Sequence, residues 1–168
     1  VKKQYQITTE TCITIPFKFK EEIIPIKIKY PWDNKSINIV EIENARKLLQ
    51  ELYHKYEILI ATNGPKEAAY NKLEKAKLDS YISSIICSEE IGFSKPLPEF
   101  FNFLYNKAQN KDKNKMLIIG DSLTTDILGG MNYGIDTCWF NIHKEKNNSG
   151  LSPTYEVSSY KELADLLS

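Results

Sequence analysis

From residue 41 onward, apolar and polar residues alternate between the period of a helix and the short apolar runs of buried strands. Residues 41–56 place apolar side chains on one helical face, and the run EILIA at 57–61 is typical of a buried strand. The same alternation predicts helices at 66–78, 96–109, 125–134 and 158–167, and strands at 84–88, 115–120 and 135–141. Strands that alternate with helices are joined by right-handed crossovers. The pattern therefore predicts an α/β fold with a mostly parallel sheet covered on both faces.

The N-terminal residues follow a different pattern. ITIPFKFK (13–20) and IIPIKIKY (23–30) alternate with period two, which predicts a two-stranded β-hairpin with one solvated face. Each run contains a proline, Pro16 or Pro25, and proline cannot donate a hydrogen bond to a sheet ladder. We therefore expect both strands at sheet edges.

Length, charge and cysteine content narrow the class of protein. The 168 residues suit one domain, made of an atypical N-terminal β segment at 1–40 and a core at 41–168. The 22 basic and 22 acidic residues balance, which argues against a nucleic-acid or membrane partner. The three cysteines are scattered and no signal sequence is evident, a combination typical of a reducing compartment. We expect a soluble, cytoplasmic protein.

Polar groups follow three of the predicted strands. Thr62, Asn63 and Gly64 come directly after 57–61 and offer a hydroxyl, an amide and backbone N–H groups at a helix start, where anions bind. Lys95, in the segment GFSKP, precedes another helix and can neutralise phosphate charge. Parallel sheets place their ligand sites at the carboxyl ends of the strands. These residues therefore predict an anion site at one edge of the sheet.

Two carboxylates follow the strand at 115–120. Asp121 comes directly after it, and Asp126 lies in the first turn of the next predicted helix. Two converging carboxylates suit Mg²⁺, which takes one or two carboxylates together with water and phosphate oxygens. Taken one at a time, each of these polar residues has a structural explanation as a cap, a turn residue or a surface charge. Their joint occurrence at successive strand ends favours a site.

The order of these segments resembles the haloacid dehalogenase (HAD) superfamily over residues 57–141. ATNG (61–64), SKP (94–96) and GDSLTTD (120–126) look like its second, third and fourth motifs, and LGGMNYGIDTCWFN is similar to the YjjG/YfnB-type subgroup. The resemblance implies a three-layer, Rossmannoid α/β/α fold. It also implies a Mg²⁺-dependent phosphatase of small phosphomonoesters, with nucleoside monophosphates as candidate substrates.

The resemblance also assigns roles to the candidate residues. Thr62 and Lys95 are the implied catalytic residues, and Thr62, Asn63, Gly64 and Lys95 the implied phosphate-binding residues. Asp121 is implied to bind Mg²⁺, with Asp126 in support.

The family's first motif, DxDx[TV], is not evident. Its first aspartate attacks phosphorus and its second acts as general acid and base. Before residue 41 the sequence contains one aspartate, Asp33 in KYPWDNKS, and Lys35 stands where the second would be. We interpret Asp33 as a turn residue. The helical cap domain that usually follows the first motif is also not evident, which leaves the substrate open.

The family places its first-motif strand between the strands at 57–61 and 116–120. Two unpaired strand edges would otherwise face each other across a gap. We predict that a strand from residues 11–30 fills this position, or a strand from another chain in a homo-oligomer formed through the N-terminal β segment. For function, two alternatives to a phosphatase remain: a catalytically inactive remnant that binds Mg²⁺ and phosphate or serves as a binding module, and a truncated fragment.

Overall fold

The computed structural model describes residues 11–14, 20–22, 38–40 and 45–168. The strands in this part of the chain are β1 (Thr11–Thr14), β2 (Lys20–Glu22), β3 (Asn38–Val40), β4 (Tyr56–Thr62), β5 (Ser84–Cys87), β6 (Met116–Gly120), β7 (Asp136–Phe140) and β8 (Tyr155–Val157). The α-helices are α1 (Ala45–Leu52), α2 (Lys66–Lys75), α3 (Ser88–Ile91), α4 (Pro98–Lys107), α5 (Leu128–Tyr133) and α6 (Tyr160–Leu167).

Six strands form one parallel sheet in the order β5-β4-β1-β6-β7-β8. Successive side chains of a strand point to opposite faces, so each central strand contributes to two cores. In β4, Ile58 and Ile60 belong to the core that includes α1 and α6, whereas Leu59 belongs to the core that includes α4. In β6 the same division separates Leu117 from Ile118. The predicted three-layer α/β/α architecture with a parallel sheet is confirmed.

Strand β1 occupies the position between β4 and β6. Thr14 is paired with Leu59 on one side and with Ile118 on the other. The prediction that a strand from residues 11–30 fills this position is confirmed, and the sheet does not need a strand from another chain. The edge position expected for the first N-terminal run is wrong for β1, because these four residues precede Pro16 and keep the N–H groups that an interior strand needs.

The predicted hairpin of 13–20 and 23–30 lies mostly outside the described residues. Within them, β2 pairs with β3 in an antiparallel two-stranded sheet, with Lys20 opposite Val40. Asp33, interpreted as a turn residue, also lies outside the described residues.

Three elements differ from the pattern-based prediction. Helix α3 was not predicted, and its first residue, Ser88, was assigned to the strand expected at 84–88. The helix expected at 125–134 starts as a π-helical turn, Leu123–Ile127, and becomes α-helical only at Leu128. Strand β8 was not predicted, since it is three residues long and buries only Val157, which is too short for a period-two signal. Helix α6, predicted at 158–167, begins at Tyr160, and the Ser159 side chain caps it by accepting a hydrogen bond from the N–H of Glu162.

Candidate phosphate and metal site

Thr62 and Asp121 lie at the same level on the two strands that flank β1. Leu59 and Ile118 are both paired with Thr14, and each candidate residue comes three positions later in its own strand direction. Neighbouring strands are about 4.8 Å apart, so roughly 10 Å separates the two backbones across the β1 position. The register therefore places a hydroxyl and a carboxylate on opposite sides of β1.

Lys95 connects the two sides. Its Nζ donates hydrogen bonds to the backbone oxygen of Ala61 in β4, at 2.7 Å, and to Oδ1 of Asp126 beyond β6, at 2.6 Å. The side chains of Lys95 and Asp126 are only 10% and 7% exposed. An ammonium group has three N–H donors, so a third remains that can be donated to an anion.

Asp126 is held in place by backbone hydrogen bonds as well as by its ion pair with Lys95. Its Oδ2 accepts a hydrogen bond from the N–H of Ser122 at 3.2 Å, and its own N–H donates to the Ser122 oxygen at 3.0 Å. The carboxylate lies directly over Gly120, where an added Cβ would come within 2.3 Å of Oδ2. Glycine at the end of β6 is what allows the carboxylate to approach the strand so closely.

Asp121 is fixed from the neighbouring strand. Its backbone oxygen accepts a hydrogen bond from Nε1 of Trp139 at 3.0 Å, and Trp139 is buried in β7. The side chain of Asp121 is half-buried at the carboxyl end of β6. Sequence reasoning missed Trp139, although an indole N–H inside a buried strand needs a partner and therefore points to a hydrogen bond.

The donor set fits Mg²⁺ only in part. Within the described residues no group of three or more histidine, cysteine, aspartate or glutamate side chains converges on one point. Mg²⁺ is commonly bound through one or two carboxylates, with water and phosphate oxygens completing the octahedron. Both oxygens of Asp126 already accept hydrogen bonds, so Asp121 is the better direct ligand and Asp126 suits a supporting position. Metal binding by these two residues stays a prediction.

The polar groups of the turn after β4 form hydrogen bonds within the turn and with the backbone of Lys95. Oγ1 of Thr62 accepts a hydrogen bond from the N–H of Gly64 at 2.9 Å, which leaves the hydroxyl proton to be donated to an anion. The Gly64 N–H is thereby directed at Thr62. The side chain of Asn63 accepts from the N–H of Lys95 at 2.8 Å and donates to the oxygen of Lys95 at 3.0 Å. Phosphate binding by Thr62, Asn63, Gly64 and Lys95 stays a prediction.

Helix α3 holds this turn from outside. Oγ of Ser88 donates to the backbone oxygen of Asn63 at 3.1 Å, and Oε2 of Glu89 accepts from the N–H of Lys66 at 2.8 Å. Lys66 Nζ forms an ion pair with Oε1 of Glu90 at 2.5 Å. Sequence reasoning did not single out these residues; the signal was three polar residues directly after β5, the strand that pairs with β4.

Cys87 and Cys138, the two cysteines whose side chains the structure describes, do not supply a nucleophile. Cys87, which is paired with Thr62 in the sheet, and Cys138 are free and buried. Burial raises the pKa of the Cys87 thiol and raises that of Cys138 to about 12. Both thiols are therefore neutral near pH 7, and a neutral thiol is a poor nucleophile.

No helix in the described part of the chain is long and apolar enough to cross a membrane.

Known proteins are similar to this chain in sequence. The chain is 37% identical over 126 residues to the putative HAD-hydrolase YfnB of Bacillus subtilis, covering 75% of this chain and 54% of that protein. It is also 37% identical to the pyrimidine 5'-nucleotidase YjjG of Escherichia coli, covering 75% of this chain and 56% of that protein. The chain thus spans about half the length of the curated relatives that it matches.

The chain is also similar in fold to a solved structure. The crystal structure of YfnB bound to magnesium superimposes with a TM-score of 0.73 at 37% identity, covering 76% of this chain and 56% of that one. The family model for haloacid dehalogenase-like hydrolases matches residues 5–140, which include β1 and continue through β7. The resemblance to the YjjG/YfnB-type subgroup is confirmed by these relatives. The chain belongs to the haloacid dehalogenase-like hydrolase family.

Proposed function

We propose that this chain acts on a small phosphorylated substrate as a Mg²⁺-dependent phosphomonoester phosphatase. The observation that carries the proposal is the Lys95 ammonium group, which contacts β4 at 2.7 Å and Asp126 at 2.6 Å. A positive charge held between two strand ends is suited to a phosphoryl group whose charge increases on transfer. The names of relatives, which include two pyrimidine 5'-nucleotidases and several phosphatases, support the same reaction class.

Each residue has a role that its contacts allow. Thr62 donates its hydroxyl proton to a phosphoryl oxygen, and Lys95 donates its third N–H to another. Asp121 would hold Mg²⁺, and Asp126 holds Lys95 and the turn at Ser122 in place. The metal, when bound, acts as a Lewis acid that neutralises phosphate charge. The N–H of Gly64 fixes Oγ1 of Thr62 by a hydrogen bond.

Pyrimidine nucleoside monophosphates are the first substrates to test. Two of the relatives, YjjG and PynA of Streptococcus pneumoniae, are named pyrimidine 5'-nucleotidases, at 37% and 39% identity. Other relatives are named as phosphatases of N-acylneuraminate 9-phosphate and glyceraldehyde 3-phosphate. Since the chain spans about half of each relative, a panel of phosphomonoesters is needed rather than one compound.

Binding without turnover is the second candidate function. Phosphoryl transfer by this family's chemistry needs an attacking aspartate, and the sequence that follows β1, residues 15–19, reads IPFKF and contains no carboxylate. The next aspartate in the sequence is Asp33. A chain that keeps the phosphate-holding groups and lacks the nucleophile would bind phosphomonoesters and leave them intact.

A turnover assay with one matched variant separates the two candidates. The purified chain is incubated with p-nitrophenyl phosphate and pyrimidine nucleoside monophosphates, with and without Mg²⁺, beside Asp121→Ala and the exposed control Asp165→Ala. A phosphatase requires Mg²⁺-dependent turnover that Asp121→Ala lowers at least a hundredfold and Asp165→Ala leaves unchanged. Absence of turnover, with phosphate binding that Mg²⁺ strengthens, would establish the binding function. Absence of both turnover and binding would contradict both candidates.

A further inference from the structure

We infer that the Asn63 side chain is a positioning residue for Lys95 and not itself a ligand of the phosphoryl group. The inference rests on the proposed function, since it assigns Lys95 the contact with phosphate. Two hydrogen bonds carry it: Asn63 Oδ1 accepts from the Lys95 N–H at 2.8 Å, and Asn63 Nδ2 donates to the Lys95 oxygen at 3.0 Å. The amide thus binds both backbone groups of one residue, as a paired strand would.

Lys95 is attached to the end of β4 at three points. Asn63 binds its backbone N–H and oxygen, and the Ala61 oxygen accepts from its Nζ at 2.7 Å. Both the backbone and the ammonium group of Lys95 are therefore hydrogen-bonded to the end of the same strand. The fourth contact, from Nζ to Asp126, then depends on where Asn63 holds the lysine backbone. Loss of the amide would let the ammonium move relative to both oxygens.

The amide is itself anchored. The backbone oxygen of Asn63 accepts a hydrogen bond from Oγ of Ser88 at 3.1 Å, and Ser88 begins α3. Among the side chains of this size, an amide offers a donor and an acceptor from one planar group. Aspartate at this position would keep the acceptor for the Lys95 N–H and lose the donor. Asn63→Asp therefore removes one of the two hydrogen bonds to Lys95, and Asn63→Ala removes both.

Thermodynamic coupling distinguishes positioning from direct binding. Affinity for inorganic phosphate in the presence of Mg²⁺ is measured by calorimetry for the wild type, Asn63→Ala, Lys95→Met and the double variant. One to two hydrogen bonds of ordinary strength correspond to a roughly 5- to 30-fold loss of affinity in Asn63→Ala. If Asn63 acts through Lys95, the same substitution in the Lys95→Met background causes no further loss. An equal loss in both backgrounds would overturn the inference and make Asn63 a direct ligand.

Amide hydrogen exchange tests the same contact without phosphate. In the ligand-free protein, the Lys95 N–H is expected to exchange at least tenfold faster in Asn63→Ala than in the wild type, and close to the wild-type rate in Asn63→Asp. Asn106→Ala, an exposed asparagine in α4, serves as the control and leaves the rate unchanged. An unchanged Lys95 rate in Asn63→Ala would overturn the inference even if phosphate binds. Failure of the wild type to bind phosphate, with accelerated exchange in Asn63→Ala, would instead contradict the proposed function and leave the Asn63–Lys95 contact established.

Discussion

Two lysine–carboxylate pairs lie near the end of β4, at nearly the same distance and in different surroundings. Lys95 and Asp126 are 2.6 Å apart with side chains 10% and 7% exposed, whereas Lys66 and Glu90 are 2.5 Å apart with side chains 48% and 36% exposed. The buried pair joins segments that follow different strands and adds contacts to the backbone of Ala61 and Ser122. The exposed pair joins α2 to α3 at the surface.

Distance alone does not determine the contribution of an ion pair here. Water screens the exposed pair, and two long side chains lose entropy to form it. The buried pair has little water to replace a lost partner, so removing one member leaves a charge without solvation. The hydrogen bond from Lys66 to Glu90 raises the pKa of the lysine, so this pair stabilises the fold at pH 7 and loses that contribution only as the pH rises through the raised pKa, but screening by water keeps the contribution small. The buried pair should therefore dominate both stability and function.

The largest predicted effect is that of Lys95→Met. The thioether side chain keeps the apolar stem of lysine and removes the charge, so the Asp126 carboxylate is left buried. We expect the free energy of unfolding to fall by about 3 kcal/mol, measured by urea denaturation at pH 7. The matched change Lys66→Met removes the exposed pair at a similar distance and should cause a much smaller loss.

The double variant Lys95→Met with Asp126→Asn sharpens this prediction. Neutralising the carboxylate as well should recover part of the loss, since no buried charge then lacks a partner. Equal destabilisation by Lys95→Met and Lys66→Met would show that burial does not separate the two pairs.

A smaller effect is predicted for glycine substitutions on the two sides of β1. In Gly120→Ala the new Cβ would lie 2.1 Å from Cβ of Asp126, so the strand or the carboxylate must move. We expect a loss of about 2 kcal/mol in the free energy of unfolding, together with weaker phosphate binding because the partner of Lys95 is displaced. In Gly64→Ala the nearest atom is Oγ1 of Thr62 at 3.2 Å, which rotation of the side chain can relieve. A greater loss from Gly64→Ala than from Gly120→Ala would contradict the packing described for Asp126.

The smallest predicted effect comes from an exposed carboxylate far from the site. Hydrogen bonds from the N–H and hydroxyl of Ser158 lower the pKa of Glu162 from its ordinary value of 4.5. A carboxyl group whose pKa is lower in the folded state stabilises the fold above its unfolded pKa, and this stabilisation is lost as the pH falls through the folded pKa. Glu162→Gln should therefore be slightly less stable than the wild type at pH 7, and the difference should shrink as the pH falls below 4.5. A difference that grows in acid would contradict this sign.

The order of the elements could be predicted from the sequence, because it depends on local periodicity. The helical spacing of Leu48, Leu49 and Leu52 and the apolar runs of β4 and β6 each correspond to an observed element. The candidate residues after these strands could also be identified from the sequence, because parallel strands bring their carboxyl ends together.

The long-range contacts could not be predicted, because they depend on partners that are distant in the sequence. No local pattern shows that the Asn63 amide binds the backbone of Lys95, or that the Trp139 indole binds the backbone of Asp121. The place of β1 was inferred from the position that it had to fill, while its period-two pattern and following proline favoured an edge. Tertiary context overrode the local signal.

The most direct test of the account is to locate bound phosphate on the protein. Inorganic phosphate is titrated into uniformly ¹⁵N-labelled protein, with and without Mg²⁺, and backbone amide shifts are followed by NMR spectroscopy. If phosphate binds at the ends of β4 and β6, saturable shifts are expected that centre on Thr62, Asn63, Lys95 and Asp121. Asp121→Ala should remove the effect of Mg²⁺, and Asp165→Ala should preserve it. Saturable shifts confined to residues away from the ends of β4 and β6, or no saturable shifts at all, would contradict it.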